Sequence, residues 1–340
     1  MNILLTSVGR RSYMVQYFKN ALKGKGKLFA SNSIDTYSLT LADEYTITPK
    51  IFDESYIKYL LNYCSEKKIK AIISLFDIDL PVLAKNKECF ESEGISVVVS
   101  KYEVTKICND KWKSYNFFKT NNIDTPKTFC YLENVFDSLN CDEIKYPLIL
   151  KPRWGMGSIG IYEASNDDEL RVLYNKVLEK IKETYLHFES EEDMSKSVLI
   201  QEKINGKEYG LDVVNDLSEK YVTTVAKRKL AMRAGETDIA EIVEIPELSS
   251  LGEKISRNLK HIANLDVDCF IAEDKRVYAL EMNCRFGGQY PFSHLAGVNL
   301  PKQIVEWLEG KTTNMENLKA KVGTRSCKEL VPTIIDNKDV

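Results

Sequence analysis

Two short apolar segments near the end of the chain carry polar side chains at alternate positions. Residues 267–271 include Asp268, and residues 277–283 include Glu281 and Asn283, with Arg285 two positions further on. Because side chains two apart on a strand share a face, Glu281, Asn283 and Arg285 point one way, and an antiparallel partner strand brings Asp268 beside them. Two carboxylates and an amide oxygen are hard ligands that suit Mg²⁺ bound to substrate phosphates.

The alternative for this strand pair is the solvated polar face of an edge hairpin. Apolar neighbours such as Leu280 and Phe286 favour a site over an exposed edge. Arg285 is then placed to neutralise charge on a phosphoryl group during transfer.

The first 100 residues alternate short apolar runs with amphipathic stretches. Strands are predicted at 3–7, 28–30, 71–75 and 96–99, and helices at 11–22 and 80–90. Alternation at this spacing predicts a small parallel α/β sheet. The glycine fingerprint of dinucleotide binding is missing, because Ser7-Val8-Gly9-Arg10-Arg11-Ser12 follows the first strand. Arg10 and Arg11 either meet an anionic ligand or are solvated.

A lysine followed by a glycine-rich loop occurs at residues 147–160. Lys151 ends an apolar strand, and Gly155, Gly157 and Gly160 follow it. Such glycines let backbone N–H groups approach a polyphosphate, and the lysine adds a point charge. The alternative is a glycine-bearing hairpin turn.

A second apolar strand, residues 198–202, runs into a polar segment with Gly206 and then Glu208. Backbone groups of such a segment can pair with an adenine edge while the carboxylate meets ribose hydroxyls. An ordinary strand, turn and strand with exposed charges is the alternative.

Composition narrows the class of protein. With 47 Lys and Arg, 50 Asp and Glu and a net charge of −3, the chain has no basic excess for nucleic acid and no polybasic stretch for a membrane. No apolar run approaches a membrane span, so a cytoplasmic location is expected. The eight cysteines form no C-x-x-C pair and no zinc spacing, so reduced thiols are expected.

The order of phosphate loop, adenine segment and metal strands resembles the ATP-grasp superfamily, and within it the carbamoyl phosphate synthase large chain and the carboxylate–amine ligases. The resemblance covers most of the chain. It implies an α/β (α+β ATP-grasp) fold, in which an N-terminal Rossmann-like pre-ATP-grasp domain precedes the two-lobed ATP-grasp fold. The expected boundaries are 1–105 for the first domain, 106–195 for the small lobe with the phosphate loop, and 196–340 for the large lobe with the metal site.

The resemblance also implies roles for individual residues. It implies metal ligation by Asp268, Glu281 and Asn283, and catalysis by Arg285 and Lys151. It implies cofactor contacts by Lys111, Lys151, Gly155, Gly157, Ser158, Gln201, Glu202, Ile204 and Glu208. The cofactors implied are ATP and Mg²⁺ (or Mn²⁺).

The cation-rich segment 227–237 is predicted to be a loop that acts as a lid, as is the segment 153–158. In related chains the segment that corresponds to 227–237 faces the cleft, so Arg228, Arg233 and Glu236 are predicted substrate contacts. The alternative is an exposed charged loop. Gln289, Tyr290 and His294, which follow the metal strand, are further candidates for the acceptor pocket.

The implied function is an ATP-dependent carboxylate–amine ligase that forms an acyl phosphate of an amino acid or related small acid. The chain has room for one ATP-grasp unit and no glutaminase, so carbamoyl phosphate synthesis itself is not expected. One alternative is a nucleotide sensor without turnover, which the intact Lys, Asp, Glu, Asn and Arg set disfavours. The other is a dinucleotide-dependent oxidoreductase, disfavoured by the missing fingerprint. Small-molecule acid and amine partners are implied, without nucleic acid or membrane. A homodimer is a state that many relatives adopt.

Overall fold

A computed structural model of the chain describes residues 1–155, 157, 159–184 and 186–334. The chain begins with a parallel α/β unit. Its helices and strands are β1 (Asn2–Thr6), α1 (Ser12–Ala21), β2 (Leu28–Asn32), α2 (Tyr37–Thr40), β3 (Glu44–Ile47), α3 (Tyr56–Glu66), β4 (Ile69–Ser74), α4 (Asp79–Lys85), α5 (Lys87–Ser92) and β5 (Ser96–Val97).

All strand pairs of this unit are parallel, and the order is β3-β2-β1-β4-β5. Ile3, Leu4 and Leu5 of β1 are all fully buried, as expected for a central strand covered on both faces. The apolar face of α1 packs down through Met14, Val15, Phe18 and Ala21. The predicted parallel α/β unit is confirmed, with one further strand, β3, at its edge.

The next segment forms a four-stranded antiparallel sheet with helices beside it. Its elements are α6 (Tyr102–Asn109), α7 (Lys111–Thr120), β6 (Thr128–Phe129), α8 (Leu132–Asn140), β7 (Leu148–Pro152), β8 (Tyr162–Ala164), α9 (Asp167–Glu183), α10 (Leu186–Ser190) and β9 (Val198–Glu202), with a 3₁₀ turn at Met194–Lys196. The strand order is β6-β9-β7-β8. Strand β9 hydrogen-bonds to β6 and β7 of this sheet. The expected boundary at residue 195 would therefore separate β9 from the strands with which it pairs. The domain boundaries stay predictions.

The remainder builds a six-stranded antiparallel sheet. Its elements are β10 (Gly206–Asn215), β11 (Tyr221–Arg233), β12 (Glu236–Val243), α11 (Pro246–Leu259), β13 (Ala263–Ala272), β14 (Val277–Asn283), α12 (Tyr290–Leu295), α13 (Leu300–Leu308) and β15 (Arg325–Cys327), with a 3₁₀ turn at Met315–Asn317. The strand order is β14-β13-β10-β11-β12-β15.

The first unit and the large sheet share one hydrophobic core. Leu4 and Phe29 of the parallel sheet belong to the same buried cluster as Leu211, Val267 and Ala279 of the large sheet. This continuous packing fixes the parallel sheet against the hairpin of β13 and β14. Within the described residues, no helix is both long and apolar enough to cross a membrane.

The prediction of a loop at residues 227–237 is wrong. Strand β11 continues to Arg233, and β12 begins at Glu236 after a two-residue turn. The charges in this segment misled the prediction because their partners lie on other strands. Lys227, for example, is completely buried and pairs with Asp212 of β10.

Candidate functional site

The two predicted metal carboxylates face each other across strands β13 and β14. Asp268 is directly opposite Glu281, and Asp266 is opposite Asn283. The expectation that an antiparallel partner brings Asp268 beside Glu281 and Asn283 is therefore confirmed. Like charges directly opposed on a sheet repel, so this arrangement needs cations or a metal nearby.

Lys229 of β11 supplies one cation. Its Nζ lies 2.7 Å from Asp268 and 2.6 Å from Glu208, and the side chain is 5% exposed. Burial lowers the pKa of Lys229, but Asp268 and Glu208 outweigh that effect and raise it. The lysine is thus fully charged at neutral pH and locks the carboxylates in place.

The two opposed carboxyl groups respond to burial differently. Burial raises the pKa of Asp268 to about 6, against the attraction of Lys229. Burial acts on Glu281 in the same direction, but Lys111, Lys151 and Lys229 together hold its pKa below the ordinary value. Of the two opposed groups, Glu281 is the one whose ionised form the surrounding cations favour.

Lys111 opens helix α7, whose N-cap is Asp110. The Asp110 side chain accepts hydrogen bonds from Trp112 N and Lys113 N. Lys111 Nζ donates to the carbonyl oxygen of Gly155 and lies 3.9 Å from a Glu281 oxygen. The same Asp110 also forms a buried bidentate pair with Arg153, at 2.8 and 2.7 Å, so the helix start is tied to the glycine loop.

Lys151 lies on β7 and is 4% exposed. Its Nζ donates to Gln201 Oε1 at 2.9 Å, and Gln201 in turn donates to Thr128 Oγ1 at 2.8 Å. Burial lowers the pKa of Lys151 to about 8, an effect that Glu281 opposes. These hydrogen bonds hold the side chain of Lys151 against the neighbouring strand β9.

The glycine loop begins in a conformation that favours glycine. Gly155 has φ +118° and Gly157 has φ +68°. A Cβ on Gly155 would lie 2.5 Å from Leu186 Cδ2, so helix α10 packs closely on this backbone. Ser158 and Met156, within the predicted lid 153–158, lie outside the described residues.

The residues predicted to contact adenine and ribose lie on two consecutive strands, β9 and β10, and on the segment that connects them. Gln201 and Glu202 end β9, Ile204 is half-buried in the connection, and Glu208 lies on β10. Glu202 Oε2 accepts from Lys127 N at 3.3 Å, while Glu208 pairs with Lys229. These roles stay predictions, and the structure adds that Glu208 and Asp268 contact the same lysine, Lys229.

Arg285 follows the end of β14 and is 8% exposed. Its guanidinium contacts Asp77 Oδ2 at 2.9 and 3.0 Å and Asp266 Oδ2 at 2.8 Å. Burial lowers its pKa, but Asp77 and Asp266 outweigh burial and raise it. The arginine is held between the large sheet and the loop after β4 of the first unit.

The three predicted substrate contacts on β11 and β12 are not gathered into one cluster. Arg228 pairs with Glu241 at 2.5 Å, Arg233 with Asp238 at 2.5 Å, and Glu236 with Lys328 at 2.9 Å. Because neighbouring strand residues point to opposite faces, Arg228 points away from the face on which Lys229 meets the carboxylates. Glu236 approaches the loop that follows β14, since a Cβ on Gly288 would be 3.7 Å from its carboxylate oxygen.

Among the later candidates, Gln289 does reach the site. Its Nε2 donates to Asp266 at 2.5 Å and to Asp268 at 3.2 Å. Tyr290 and His294 lie on α12, and His294 stacks on Tyr17 with ring centroids 3.5 Å apart.

A pocket lies beside the carboxylate pair. It is lined by Asp77, Cys108, Asn109, Lys111, Gly155, Glu189, Glu281 and Asn283. Burial raises the pKa of Glu189 to about 7. In the part of the chain that the structure describes, no group of three or more His, Cys, Asp or Glu is arranged to hold a metal. A metal here would rely on Asp268, Glu281 and the amide of Asn283, with further oxygens from a bound phosphate, which is a fitting donor set for Mg²⁺.

Sequence reasoning missed four residues of this region. Asp266 had a usable signal, because it alternates with Asp268 on one strand face. Lys229 lay in the segment predicted as a loop. Asp77 and Glu189 gave no sequence signal, since they belong to elements that are distant from the β13–β14 hairpin in the chain.

Comparison with known proteins identifies two matching family models. The model described as "ATP-grasp domain" matches residues 108–289, and the model described as "PylC-like, N-terminal domain" matches residues 3–98.

Individual relatives are distant. The arginine-specific carbamoyl phosphate synthase large chain of Bacillus subtilis is 20% identical over 292 residues, which cover 83% of this chain and 27% of that protein. Biotin carboxylase from Campylobacter jejuni superposes with a TM-score of 0.76 at 16% identity, covering 96% of this chain and 75% of that one. The L-amino acid ligase of Bacillus licheniformis superposes with a TM-score of 0.74 at 15% identity, covering 97% and 81%. The chain thus spans about a quarter of the length of the carbamoyl phosphate synthase large chain. It shares its fold with the biotin carboxylase and the L-amino acid ligase.

Proposed function

Because the chain belongs to the ATP-grasp family, we propose that it is an ATP-dependent carboxylate–amine ligase that forms ADP, phosphate and an amide. The observation that supports this most directly is the opposed pair Asp268 and Glu281, around which Lys111, Lys151 and Lys229 lie. A cluster of cations around ionised carboxylates is what a polyphosphate and its metal require.

Each side chain has a part in the proposed reaction. Lys111 and Lys151 bind the phosphates of ATP. Asp268, Glu281 and Asn283 would hold Mg²⁺, which would neutralise phosphate charge when bound. A carboxylate oxygen of the acid attacks the γ-phosphorus, and the bond from that phosphorus to the bridging oxygen of ADP breaks. Arg285 stabilises the charge that develops.

The second step forms the amide. The amine nitrogen attacks the acyl carbon of the acyl phosphate, the carbon–oxygen bond to phosphate breaks, and phosphate leaves with that electron pair. The substrate ammonium first loses one proton to give the nucleophilic amine, and the nitrogen loses a second proton as the amide forms; both protons go to solvent. An amino acid or a related small carboxylic acid is the proposed acid, and a homodimer is the proposed assembly.

Phosphate release from ATP and Mg²⁺ tests the function. We expect release only when a carboxylic acid is added, and faster release when an amine is added as well, across pools of amino acids and small acids. Saturable ATP binding with no release in any pool would contradict the ligase and favour a nucleotide sensor. Binding of NADH in place of ATP would favour the oxidoreductase.

The affinity for ATP is expected to fall as pH rises through about 8. Lys151 is charged below its pKa of about 8 and neutral above it. Phosphates stabilise the charged form, so above that pH binding must take up a proton, and the association constant falls by up to ~10-fold per pH unit. Calorimetric titration from pH 7 to 9.5 measures this. Lys151→Arg, which stays charged, should give a flat profile, and an equally steep profile in that variant would exclude Lys151 as the cause.

A further inference from the structure

The order of the parallel sheet creates a crevice between β1 and β4. From β1 the chain runs outward through β2 to β3, and it returns to place β4 and β5 on the other side of β1. In open parallel sheets, ligands bind in the crevice beyond the carboxyl ends of the two strands where this reversal occurs. Arg11 follows β1 across this crevice, and Asp77 follows β4.

This crevice opens directly on the ATP-grasp site. Arg11 Nη1 donates to the carbonyl oxygen of Phe286 at 2.7 Å, and Asp77 Oδ2 pairs with Arg285. The first unit thus touches the loop that follows the metal strand. The side chain of Asp77, from the loop after β4, is thereby brought into the pocket that contains Glu281 and Lys111.

Asp77 uses only one of its two carboxylate oxygens. The residue is 3% exposed, yet Oδ1 has no hydrogen-bond partner among the residues that the structure describes. Asn109, whose Nδ2 donates to the backbone oxygen of Asp77 at 2.8 Å, has an equally unpartnered Oδ1. Both residues line the pocket. Buried acceptors without a donor are costly and rare, and a molecule bound in this pocket could supply the donor to both atoms.

The chemistry of these atoms selects among the reactants of the proposed function, on which this inference rests. Carboxylates and phosphates only accept hydrogen bonds, whereas an ammonium group has three donors and a positive charge. We infer that Asp77, together with Asn109, holds the amine substrate, so that the N-terminal unit positions the nucleophile beside the acyl phosphate. Asp77 supplies the opposite charge, and Asn109 supplies a second acceptor.

Hydroxylamine separates this role from a role in the first step. It is a small, neutral nucleophile near pH 7 that captures an acyl phosphate as a hydroxamate without a bound ammonium. Hydroxamate formation is measured with the acid that supports the fastest phosphate release, and amide formation is measured with the fastest amino-acid acceptor. For Asp77→Asn we expect KM for the amino acid to rise ~10- to 100-fold, the range for a hydrogen bond to a charged group. Because Asp77 also pairs with Arg285, the hydroxamate rate of Asp77→Asn should fall only by about the factor that Asp266→Asn, which weakens contacts of the same arginine, produces.

Asp266→Asn is the matched control. Asp266 also pairs with Arg285, but its second oxygen accepts from Gln289 and does not line the pocket. We expect this variant to slow hydroxamate and amide formation by the same factor. Asn109→Ala provides a second test if Asp77→Asn does not fold, and should raise KM for the amino acid ~10-fold.

Three results would overturn the inference. The first is equal loss of hydroxamate and amide in Asp77→Asn, because Asp77 would then act only through Arg285. The second is a raised Mg²⁺ requirement with an unchanged KM for the amino acid, since the free oxygen would then face the metal. The third is an unchanged KM for the amino acid in a folded Asp77→Asn or Asn109→Ala. Wild-type protein that forms no hydroxamate with any acid would instead refute the proposed function itself, and this inference with it.

Discussion

Glu281→Gln is expected to reduce acid-dependent phosphate release at least ~10³-fold without lowering the stability of the protein, because metal charge stabilisation is worth several kcal/mol. Glu281 is the carboxylate that three lysines keep ionised, and it lines the pocket. Its loss removes the ligand most able to hold a metal against the phosphates. It also removes the repulsion between Glu281 and Asp268.

Stopped assays of phosphate release and thermal unfolding curves test both halves of this prediction. Glu273→Gln is the matched control, since it removes a carboxylate from the exposed turn of the same hairpin and should change neither property. A Glu281→Gln protein that keeps a tenth or more of the wild-type rate would remove this residue from the proposed metal site. A protein that loses both rate and stability would point to a structural role.

The hairpin of β13 and β14 was predictable from sequence because its geometry is local. Only five residues, 272–276, connect the predicted strand at 267–271 to the return strand that begins at Val277, so the two segments must pair antiparallel. Alternation then places Asp268, Glu281 and Asn283 on one face. Arg285 lies beyond the strand end, so its direction follows from its contacts with Asp77 and Asp266.

The parallel sheet was largely predictable because continuous apolar runs identify its central strands. The edge strand β3 was missed because it has no continuous apolar run. Polar Glu44 and Thr46 alternate with Tyr45 and Ile47, and the side chains of Tyr45 and Ile47 are partly exposed. The predicted helix 80–90 is divided into α4 and α5 at Asn86, whose side chain bonds the carbonyl oxygen of Val82.

Contacts between distant segments were not predictable from one sequence. Arg285 and Asp77 are 208 residues apart in the chain, and no periodicity relates them. Lys229 shows the same limit, because a buried lysine in a strand has the appearance of a surface cation until Glu208 and Asp268 are in place. The sequence shows that the residue is charged, but only the tertiary structure shows whether that charge is buried and paired.

Lys229→Met is expected to lower the free energy of unfolding by ~3–5 kcal/mol, the cost of leaving buried charges without their partner. The lysine is 5% exposed and bridges Asp268 and Glu208, with Glu281 opposite Asp268. Methionine fills similar volume, so the loss is electrostatic and not a cavity effect. Urea unfolding measures it. Lys203→Met removes the exposed pair with Glu163 and should cost less than ~1 kcal/mol.

Acid and Mg²⁺ should each restore part of the stability lost in Lys229→Met. Burial already raises the pKa of Asp268 to about 6 with the lysine present. Without Lys229 the folded pKa rises further, so the cost is largest above that pKa and shrinks as pH falls through it and Asp268 becomes neutral. A divalent cation acts in the same direction because it binds the carboxylates only where the fold brings them together. If Lys229→Met unfolds with the wild-type free energy at pH 8, and neither acid nor Mg²⁺ affects the two proteins differently, these carboxylates do not form the charged centre that the proposed function requires.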